Sequence, residues 1–220
     1  MMKKLSLIFL LLGFGSLHAQ TIAYQVPAGK EGTQNYGGAL GMDFIVNSPI
    51  RVTALGVFDD SSDGINLDIS AGIWSRDVAG TPDDFADDTG INLLASAAFS
   101  NNESGTLIDG SRFKDIAPFI LEPGDYTISA WGYGDAERNG NVGTGSVASS
   151  TDDGGGAITF VGGSRFGPAG DPSGFPSSVD GGPENRYDAG TFQFELVPEP
   201  SMTGIAGLLL MYVGLRRRKR

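Results

Sequence analysis

Thr191-Phe192-Gln193-Phe194-Glu195-Leu196 alternates polar and apolar side chains, and this alternation decides the fold class. Successive side chains of a β-strand point to opposite faces, so Phe192, Phe194 and Leu196 are predicted to share one face of a sheet. The same period of two runs through three other segments, Met42–Val46, Leu67–Ile73 and Tyr126–Ala130. The sequence therefore predicts strands that each carry one apolar face.

Five further apolar segments have the length of a strand and are separated by turns rich in Gly and Asp. They are Thr21–Val26, Arg51–Phe58, Leu93–Phe99, Lys114–Leu121 and Ala157–Val161. No segment between Gln20 and Val197 carries a sustained helical stripe. About eight or nine such strands predict an all-β fold, a β-sandwich or jelly-roll-like single domain whose two sheets bury their inner faces together.

Three longer stretches are predicted to be loops: Ser75–Asn92, Gly132–Gly156 and Gly162–Asn185. The first of them contains an acidic cluster, which we expect to be a flexible, charged part of that loop. The cluster consists of Asp83, Asp84, Asp87 and Asp88.

The N-terminal segment has the three-part plan of a secretory signal peptide. Lys3 and Lys4 precede a compact apolar run from Leu5 to Phe14, and Ser16–Ala19 fits a cleavage region. We therefore expect residues 1–19 to be removed as a signal peptide. The mature chain would then begin near Gln20 and work outside the cytoplasm.

The C-terminal segment, residues 198–220, combines a proline-rich start, an apolar run and a cationic end. Pro198, Glu199 and Pro200 come first, and the apolar run Met202–Leu215 has 14 residues. The final five residues are all cations: Arg216, Arg217, Arg218, Lys219 and Arg220. Cations favour the cytoplasmic face of a membrane, so this order predicts a membrane stop signal. Because a spanning helix usually needs about 20 apolar residues, the transmembrane helix would be a marginal anchor, which suits a temporary one.

This C-terminal arrangement resembles the PEP-CTERM sorting signal of Gram-negative bacteria, which has the same triplet, apolar helix and Arg-rich terminus. The resemblance implies export, transient membrane anchoring through the tail, and processing by a membrane enzyme, exosortase. It also implies a final place at the cell surface or in an extracellular matrix, because the family is linked to exopolysaccharide production and biofilm. The export machinery and an exosortase-type enzyme would be partners.

A second resemblance covers roughly residues 50–131. Several blocks are similar, in order, to a β-sandwich module of unassigned function common in PEP-CTERM proteins. The blocks are Leu55–Asp59, Asp63-Gly64, Ala71–Trp74, Leu93–Ala97 and Leu121–Tyr126. This resemblance implies the fold and the exported setting, and it implies no reaction.

The predicted body, residues 20–197, is strongly acidic. It holds eight Lys and Arg against 25 Asp and Glu, a net charge of −17. Such a charge repels nucleic acid and anionic membranes, and it attracts divalent cations. A solvated acidic surface explains the same composition without any bound metal.

The residue types that are missing restrict the chemistry. The chain has no cysteine, and its only histidine, His18, belongs to the predicted leader. This excludes a Ser-His-Asp triad, a Cys-His pair and a zinc site built on imidazole or thiolate in the body. An enzyme would need paired carboxylates, as in glycoside hydrolysis, or a lysine or tyrosine base.

One segment matches the first half of a calcium-binding loop. Asp59, Ser61 and Asp63 place oxygen side chains at alternate positions, and Gly64 permits a turn. The twelfth position from Asp59 is Ser70 and not the glutamate that an EF-hand requires. A solvated hairpin turn explains the same residues, so both interpretations stay open.

Two tryptophans suggest contact with carbohydrate. Trp74 and Trp131 each end a predicted strand in the register opposite the core, and Tyr133 follows close to Trp131. An outward indole at the rim of a sheet would stack on a sugar ring. The alternative is packing under a loop, with the indole N–H hydrogen bonded at the rim.

Two classes of function follow. The first is an exported, non-catalytic surface or matrix protein that is sorted by its tail, needs no cofactor and binds extracellular polysaccharide. The alternative is a secreted glycan-active hydrolase that uses a pair of carboxylates. The fold class does not separate them, because sandwiches serve both binding and hydrolysis.

Overall fold

The computed structural model describes residues 20–81, 84–141, 148–169 and 173–198, and these residues form an all-β sandwich. The strands are β1 (Thr21–Ile22), β2 (Tyr24–Gln25), β3 (Leu40–Val46), β4 (Ile50–Phe58), β5 (Ile69–Asp77), β6 (Thr89–Phe99), β7 (Thr106–Ile108), β8 (Ser111–Leu121), β9 (Gly124–Trp131), β10 (Gly140–Asn141), β11 (Ser150–Thr151), β12 (Ile158–Phe166), β13 (Ser178–Val179), β14 (Tyr187–Asp188) and β15 (Gly190–Leu196). A short 3-10 turn, Asp60–Ser62, follows β4.

Two main sheets build the sandwich. One has five strands in the order β1-β15-β4-β8-β7, and the other has six in the order β13-β12-β3-β9-β5-β6. Two small sheets, β10-β14 and β11-β2, accompany them. All strand pairs are antiparallel. The all-β prediction is confirmed.

The hydrophobic core lies between the two main sheets, where the alternating stretches predicted it. Phe192 and Phe194 of β15 are fully buried, and the ring of Phe192 lies 4.9 Å from that of Phe44 in β3. Ile128 of β9 is buried in the same cluster. Leu196 differs from its prediction because it is 40 % exposed at the end of its strand.

The six-stranded sheet is also covered on its outer face, the face that points away from the core. Phe175, from the long segment between β12 and β14, lies across this face with its ring 5.9 Å from that of Trp74. Gly90 allows the close approach, because a Cβ atom there would lie 2.4 Å from the Phe175 ring. The part of the outer face beneath this segment is therefore a second buried layer, whereas β6 at the edge of the sheet is largely exposed.

The cover of the outer face overturns two of the loop predictions. Strands β5 and β6 continue into the segment predicted as a loop, and Asp88 is only 4 % exposed. Arg165, in a second predicted loop, belongs to β12 and is fully buried. Both errors have one physical cause: strands with a polar side chain on a covered face do not show an apolar pattern. Asp83 lies outside the described residues.

Both predicted sorting signals fall outside the described part of the chain. The structure describes neither residues 1–19 nor residues 199–220, and Pro198 is the last residue placed. No helix among the described residues is long and apolar enough to cross a membrane.

Candidate functional site

A small cavity of about 170 Å³ lies beside the start of β3 and the end of β12. Its lining combines three aromatic rings with polar side chains. The lining residues are Gln34, Tyr36, Leu40, Phe166, Asp180 and Tyr187. We call it the tyrosine pocket.

The tyrosine pocket has rigid aromatic walls. The Tyr36 hydroxyl donates to the carbonyl oxygen of Gly167 at 2.5 Å. The Tyr36 ring meets the Phe166 ring edge to face, with centroids 6.2 Å apart. The Tyr187 hydroxyl donates to Asp180 Oδ2. Because each ring is fixed by a contact of its own, little rotamer freedom would be lost on binding a ligand.

Asp180 supplies a permanent negative charge in the tyrosine pocket. Burial alone would raise the pKa of this carboxyl, but hydrogen bonds from Tyr187 and Gly182 and the charge of Arg186 hold the pKa below its ordinary value. Arg186 Nη1 lies 2.5 Å from Asp180 Oδ1. The group is therefore an ionised acceptor at neutral pH.

Gln34 adds a donor to the lining of the same pocket. Its Oε1 accepts a hydrogen bond from Asn139 Nδ2 at 3.0 Å. Its Nε2 makes no hydrogen bond with any other residue that the structure describes. Fixed rings, a carboxylate acceptor and an amide donor suit an uncharged ring that has apolar faces and hydroxyl groups.

A larger cavity, of about 440 Å³, lies near β2 and β11 and is rich in hydroxyl groups. Its lining consists of Tyr24, Ala148, Ser149, Ser150, Thr151, Glu184 and Asn185. Behind Tyr24 and Ser149 lies a buried ion pair, in which Lys30 Nζ is 2.5 Å from Asp188 Oδ2. We call this the hydroxyl cavity.

Four charged side chains on the covered outer face form one buried network. Arg165 Nε donates to Asp43 Oδ2 at 2.6 Å, and Arg165 Nη2 donates to Asp88 Oδ2. Arg76 Nη1 donates to the same Asp88 oxygen at 2.5 Å. Burial raises the pKa of Asp43 against the opposing charges of Arg165 and Arg76. Arg76 Nη2 also lies 3.5 Å from Oδ1 of Asp125, whose side chain is 31 % exposed, so the network extends there to the edge of the buried region. Its four buried members bind one another and hold the cover in place.

The structure places the predicted stacking residues differently from a sugar-binding platform. Trp74 lies within β5 and not at its end, and its Nε1 donates to Ser129 Oγ at 3.1 Å under Phe175. Trp131, the last residue of β9, is half-buried beside Gly72. Both indoles lie on the outer face, and Trp74 is packed under the cover.

Tyr133 lies in the core and not at the exposed rim that stacking on a sugar ring would require. Its side chain is 3 % exposed in the core, and its hydroxyl donates to the carbonyl oxygens of Phe58 at 3.2 Å and Ala189 at 3.0 Å. Burial raises the pKa of this phenol well above its ordinary value. Tyr133 therefore offers no ring face to a glycan.

The segment predicted as a calcium loop is occupied by protein contacts. Asp59 is buried, and its Oδ2 accepts from Arg112 Nε at 2.6 Å while its Oδ1 accepts from the backbone N–H of Gly64. Ser61 Oγ donates to Asp60. Asp63 points to solvent and does not join them. In the described ranges, no three acidic or histidine side chains come close enough to hold a metal.

Glu137 is the carboxyl group with the most unusual environment. It is fully buried, and its two oxygens accept from the backbone N–H groups of Asp60 and Asn66, each at 2.8 Å. Burial, with smaller contributions from Asp59 and Asp60, raises its pKa to about 7, although the backbone hydrogen bonds oppose this. Such a pKa suits a general acid, but a carboxyl without solvent access whose oxygens both bind backbone instead fixes the 3-10 turn.

Sequence reasoning missed the tyrosine pocket and both buried charge clusters. Tyr36 stands in an irregular stretch and Tyr187 begins the two-residue strand β14, and neither segment has an apolar period. The sequence offers one signal for these tyrosines. Both are aromatic residues surrounded by Gly, Asn and Asp, and turns and binding loops have this same composition.

Comparisons with known proteins give no match: no protein family, no curated protein and no solved structure matches this chain. The function is therefore argued from the geometry above and from the sequence signals.

Proposed function

We propose that this chain is an exported, non-catalytic surface or matrix protein that binds a neutral extracellular polysaccharide in the tyrosine pocket. The carrying observation is the pocket itself, in which fixed rings of Tyr36 and Phe166 stand beside the Asp180 carboxylate and a Gln34 amide whose Nε2 bonds to no other described residue. In this proposal the sandwich is one jelly-roll-like domain between two sorting signals.

The charge of the body selects among polysaccharides. A net charge of −17 over residues 20–197 repels acidic polymers at low salt and leaves neutral ones unaffected. The pocket volume of about 170 Å³ is below the roughly 300 Å³ at which pockets for drug-sized ligands begin. The pocket therefore suits one sugar unit, at a chain end or on a side branch.

Two observations support a binding role over the alternative of hydrolysis. Glycoside hydrolysis uses two carboxyl groups on either side of the scissile bond. Among the described residues, the tyrosine pocket contributes one carboxyl group, Asp180, and the hydroxyl cavity also contributes one, Glu184. Asp180 is held ionised, so it has no proton to give to a leaving group.

The proposed location of the protein, at the cell surface or in an extracellular matrix, rests on the sequence. The leader and the PEP-CTERM-like tail would pass the chain to the export machinery and then to an exosortase-type enzyme. The tail would anchor the protein in the membrane before processing. The processed body would then reach the cell surface or the extracellular matrix.

Binding is tested by affinity electrophoresis in gels that contain dextran, mannan or galactan. We expect the protein to be retarded in at least one gel, and we expect Tyr36→Ala or Asp180→Asn to reduce the affinity about tenfold or more, a loss of roughly 1.4 kcal/mol. Asp63→Asn is the charge-matched control, because Asp63 is exposed and is not one of the residues that line the pocket, and it should leave retardation unchanged.

Two results would contradict the binding proposal. One is migration that none of the three neutral polymers affects. The other is release of reducing ends that a single Asp→Asn change abolishes, because this would establish the hydrolase instead.

Sorting is tested by deleting the chain from Pro198 onward and fractionating cells, envelope and medium of the producing organism. We expect the shortened protein to be exported and to leave the envelope fraction, because the proposed anchor is gone. An unchanged distribution between fractions would argue against a sorting role for the tail. Full-length protein in the cytosol with its leader uncut would argue against export altogether.

A further inference from the structure

We propose that Lys30 and Asp188 condense into an intramolecular isopeptide bond, an amide between the lysine Nζ and the aspartate Cγ. Lys30 Nζ lies 2.5 Å from Asp188 Oδ2, and the side chains are 1 % and 0 % exposed. This inference goes beyond the proposed function and does not depend on it.

The surroundings of the pair favour condensation over a lasting ion pair. Two charges are costly to bury, and conversion of the pair to an amide removes both of them. Since bulk water is excluded from both groups, hydrolysis of an amide formed there is also disfavoured.

Two hydroxyl groups face the remaining carboxyl oxygen in the manner of an oxyanion hole. Ser149 Oγ donates to Asp188 Oδ1 at 2.5 Å. The Tyr24 hydroxyl lies 3.0 Å from the same oxygen and 3.0 Å from the carbonyl oxygen of Asn185, and it shares its one proton between these two acceptors. Burial and the nearby Asp188 charge raise the pKa of Tyr24, so this phenol stays a donor. Donors fixed in this way stabilise the charge that develops when a nucleophile attacks the carbonyl carbon.

Ser149 also connects the amine to the carboxyl group. Lys30 Nζ donates to Ser149 Oγ at 3.0 Å, and the same hydroxyl donates onward to Asp188 Oδ1. The serine can therefore take a proton from the nitrogen while it gives its own to Oδ1. This is a proton relay of the kind that general acid–base catalysis requires.

The reaction balances without an oxidant or a co-reactant. One ammonium proton moves from Nζ to Oδ2, and the neutral Nζ then forms a bond to Cγ. A second nitrogen proton passes through Ser149 to Oδ1, which gives a tetrahedral centre with two hydroxyl groups. The carbonyl re-forms at Oδ1, whose proton moves to Oδ2, and Oδ2 leaves as water. The hydroxyl cavity, lined by Tyr24 and Ser149, is the path by which that water leaves.

The other ion pairs of the described residues provide a contrast. Lys114 Nζ lies 3.4 Å from Glu103 Oε2, and these side chains are 23 % and 78 % exposed, so water competes with the amine. The remaining buried pairs use arginine, whose guanidinium stays protonated and is not a nucleophile. In this part of the chain, Lys30–Asp188 alone joins a lysine to a carboxylate away from solvent.

Peptide mapping by mass spectrometry of the full chain, after prolonged incubation in the folded state, tests the proposal directly. Trypsin should fail to cleave after Lys30. We expect a branched peptide that links the segment containing Lys30 to the one containing Asp188 and is lighter than the two together by one water molecule. If the two segments are recovered as separate peptides with Lys30 cleaved, the proposal is overturned, whatever any variant does.

Variants distinguish formation of the amide from a non-covalent contact between Lys30 and Asp188. Lys30→Arg keeps the cation and Asp188→Ala removes the electrophile, and both should abolish the branched peptide. Lys114→Arg, the matched control at the exposed pair, should leave it intact. Tyr24→Phe should slow its formation about tenfold or more after refolding, because one donor to Oδ1 is lost. A branched peptide that persists in Lys30→Arg would contradict the assignment.

Discussion

Arg165→Met is expected to lower the free energy of unfolding by roughly 3–5 kcal/mol, because it removes one of the two buried cations that balance two buried carboxylates. Arg165 is fully buried and contacts both Asp43 and Asp88. Arg76 Nη1 still pairs with Asp88 at 2.5 Å, whereas its Nε lies 3.6 Å from Asp43 Oδ1, so Asp43 loses its close cation. Urea denaturation followed by tryptophan fluorescence measures the loss, since Trp74 packs under the same cover.

Arg51→Met is the matched control for this variant. Arg51 pairs with Glu195 on the surface, where the two side chains are 51 % and 24 % exposed. A surface pair of this kind contributes about 0–1 kcal/mol, so the control should change stability by no more than that. Equal effects of Arg165→Met and Arg51→Met would show that the outer-face network is solvated and not buried.

The network also predicts an asymmetry between partial and complete replacement. Exchanging Asp43, Asp88, Arg76 and Arg165 together for apolar residues of similar volume should recover much of the stability that Arg165→Met loses. Buried ion pairs are costly to desolvate, and well-packed apolar side chains often replace them without loss. A combined variant that is less stable than Arg165→Met alone would contradict this explanation.

Phe44→Ala is expected to be similarly damaging, with a loss of about 3–5 kcal/mol. The Phe44 ring lies 4.9 Å from that of Phe192, 5.7 Å from that of Tyr126 and 5.9 Å from that of Phe160. Its removal leaves a cavity at the centre of the sandwich that rings fixed on three strands cannot fill. The shift of the thermal or urea midpoint measures the effect.

Ile120→Ala controls for the loss of an apolar side chain from a strand. Ile120 belongs to β8 and is 43 % exposed, so its truncation removes little buried area. We expect a change within about 1 kcal/mol. If Phe44→Ala were no more damaging than Ile120→Ala, the aromatic cluster would not be the centre of the core.

The strands that sequence alone could predict are those with one face in the core and a polar opposite face. Phe192 and Phe194 in β15, and Met42 and Phe44 in β3, are of this kind, and all four are buried. Their pattern is local, because period-two alternation depends only on which side chains face the core. The alternation of apolar and polar residues therefore predicts these strands and the side chains that face the core.

The covered outer face could not be predicted in the same way, because burial there depends on distant segments. In sequence, Asp43, Asp88 and Arg165 look like surface or loop residues, but all three are buried in the fold, and the ring of Phe175 lies 5.5 Å from the Arg165 guanidinium. Paired charges inside a protein look the same in sequence as solvated ones. The prediction for Tyr133 failed for the opposite reason. Its neighbours in sequence suggested an exposed position at the rim of a sheet, whereas its hydroxyl donates to two carbonyl groups in the core.

The candidate site could not be predicted from the sequence for a related reason. The tyrosine pocket joins Gln34 and Tyr36 to Asp180 and Tyr187, residues from opposite ends of the described chain. Lys30 and Asp188 are separated in the same way. Only the antiparallel closure of the sandwich brings such residues together.

That closure also determines how the molecule would respond to mechanical tension. Strands β1 and β15 are antiparallel neighbours, with Thr21 opposite Phe194, so residues 20 and 198 leave the sandwich at the same end. A pull between those two points would peel the pair apart one hydrogen bond at a time. Once Lys30 and Asp188 are joined, the load would pass through the amide, and residues 31–187 would bear none of it.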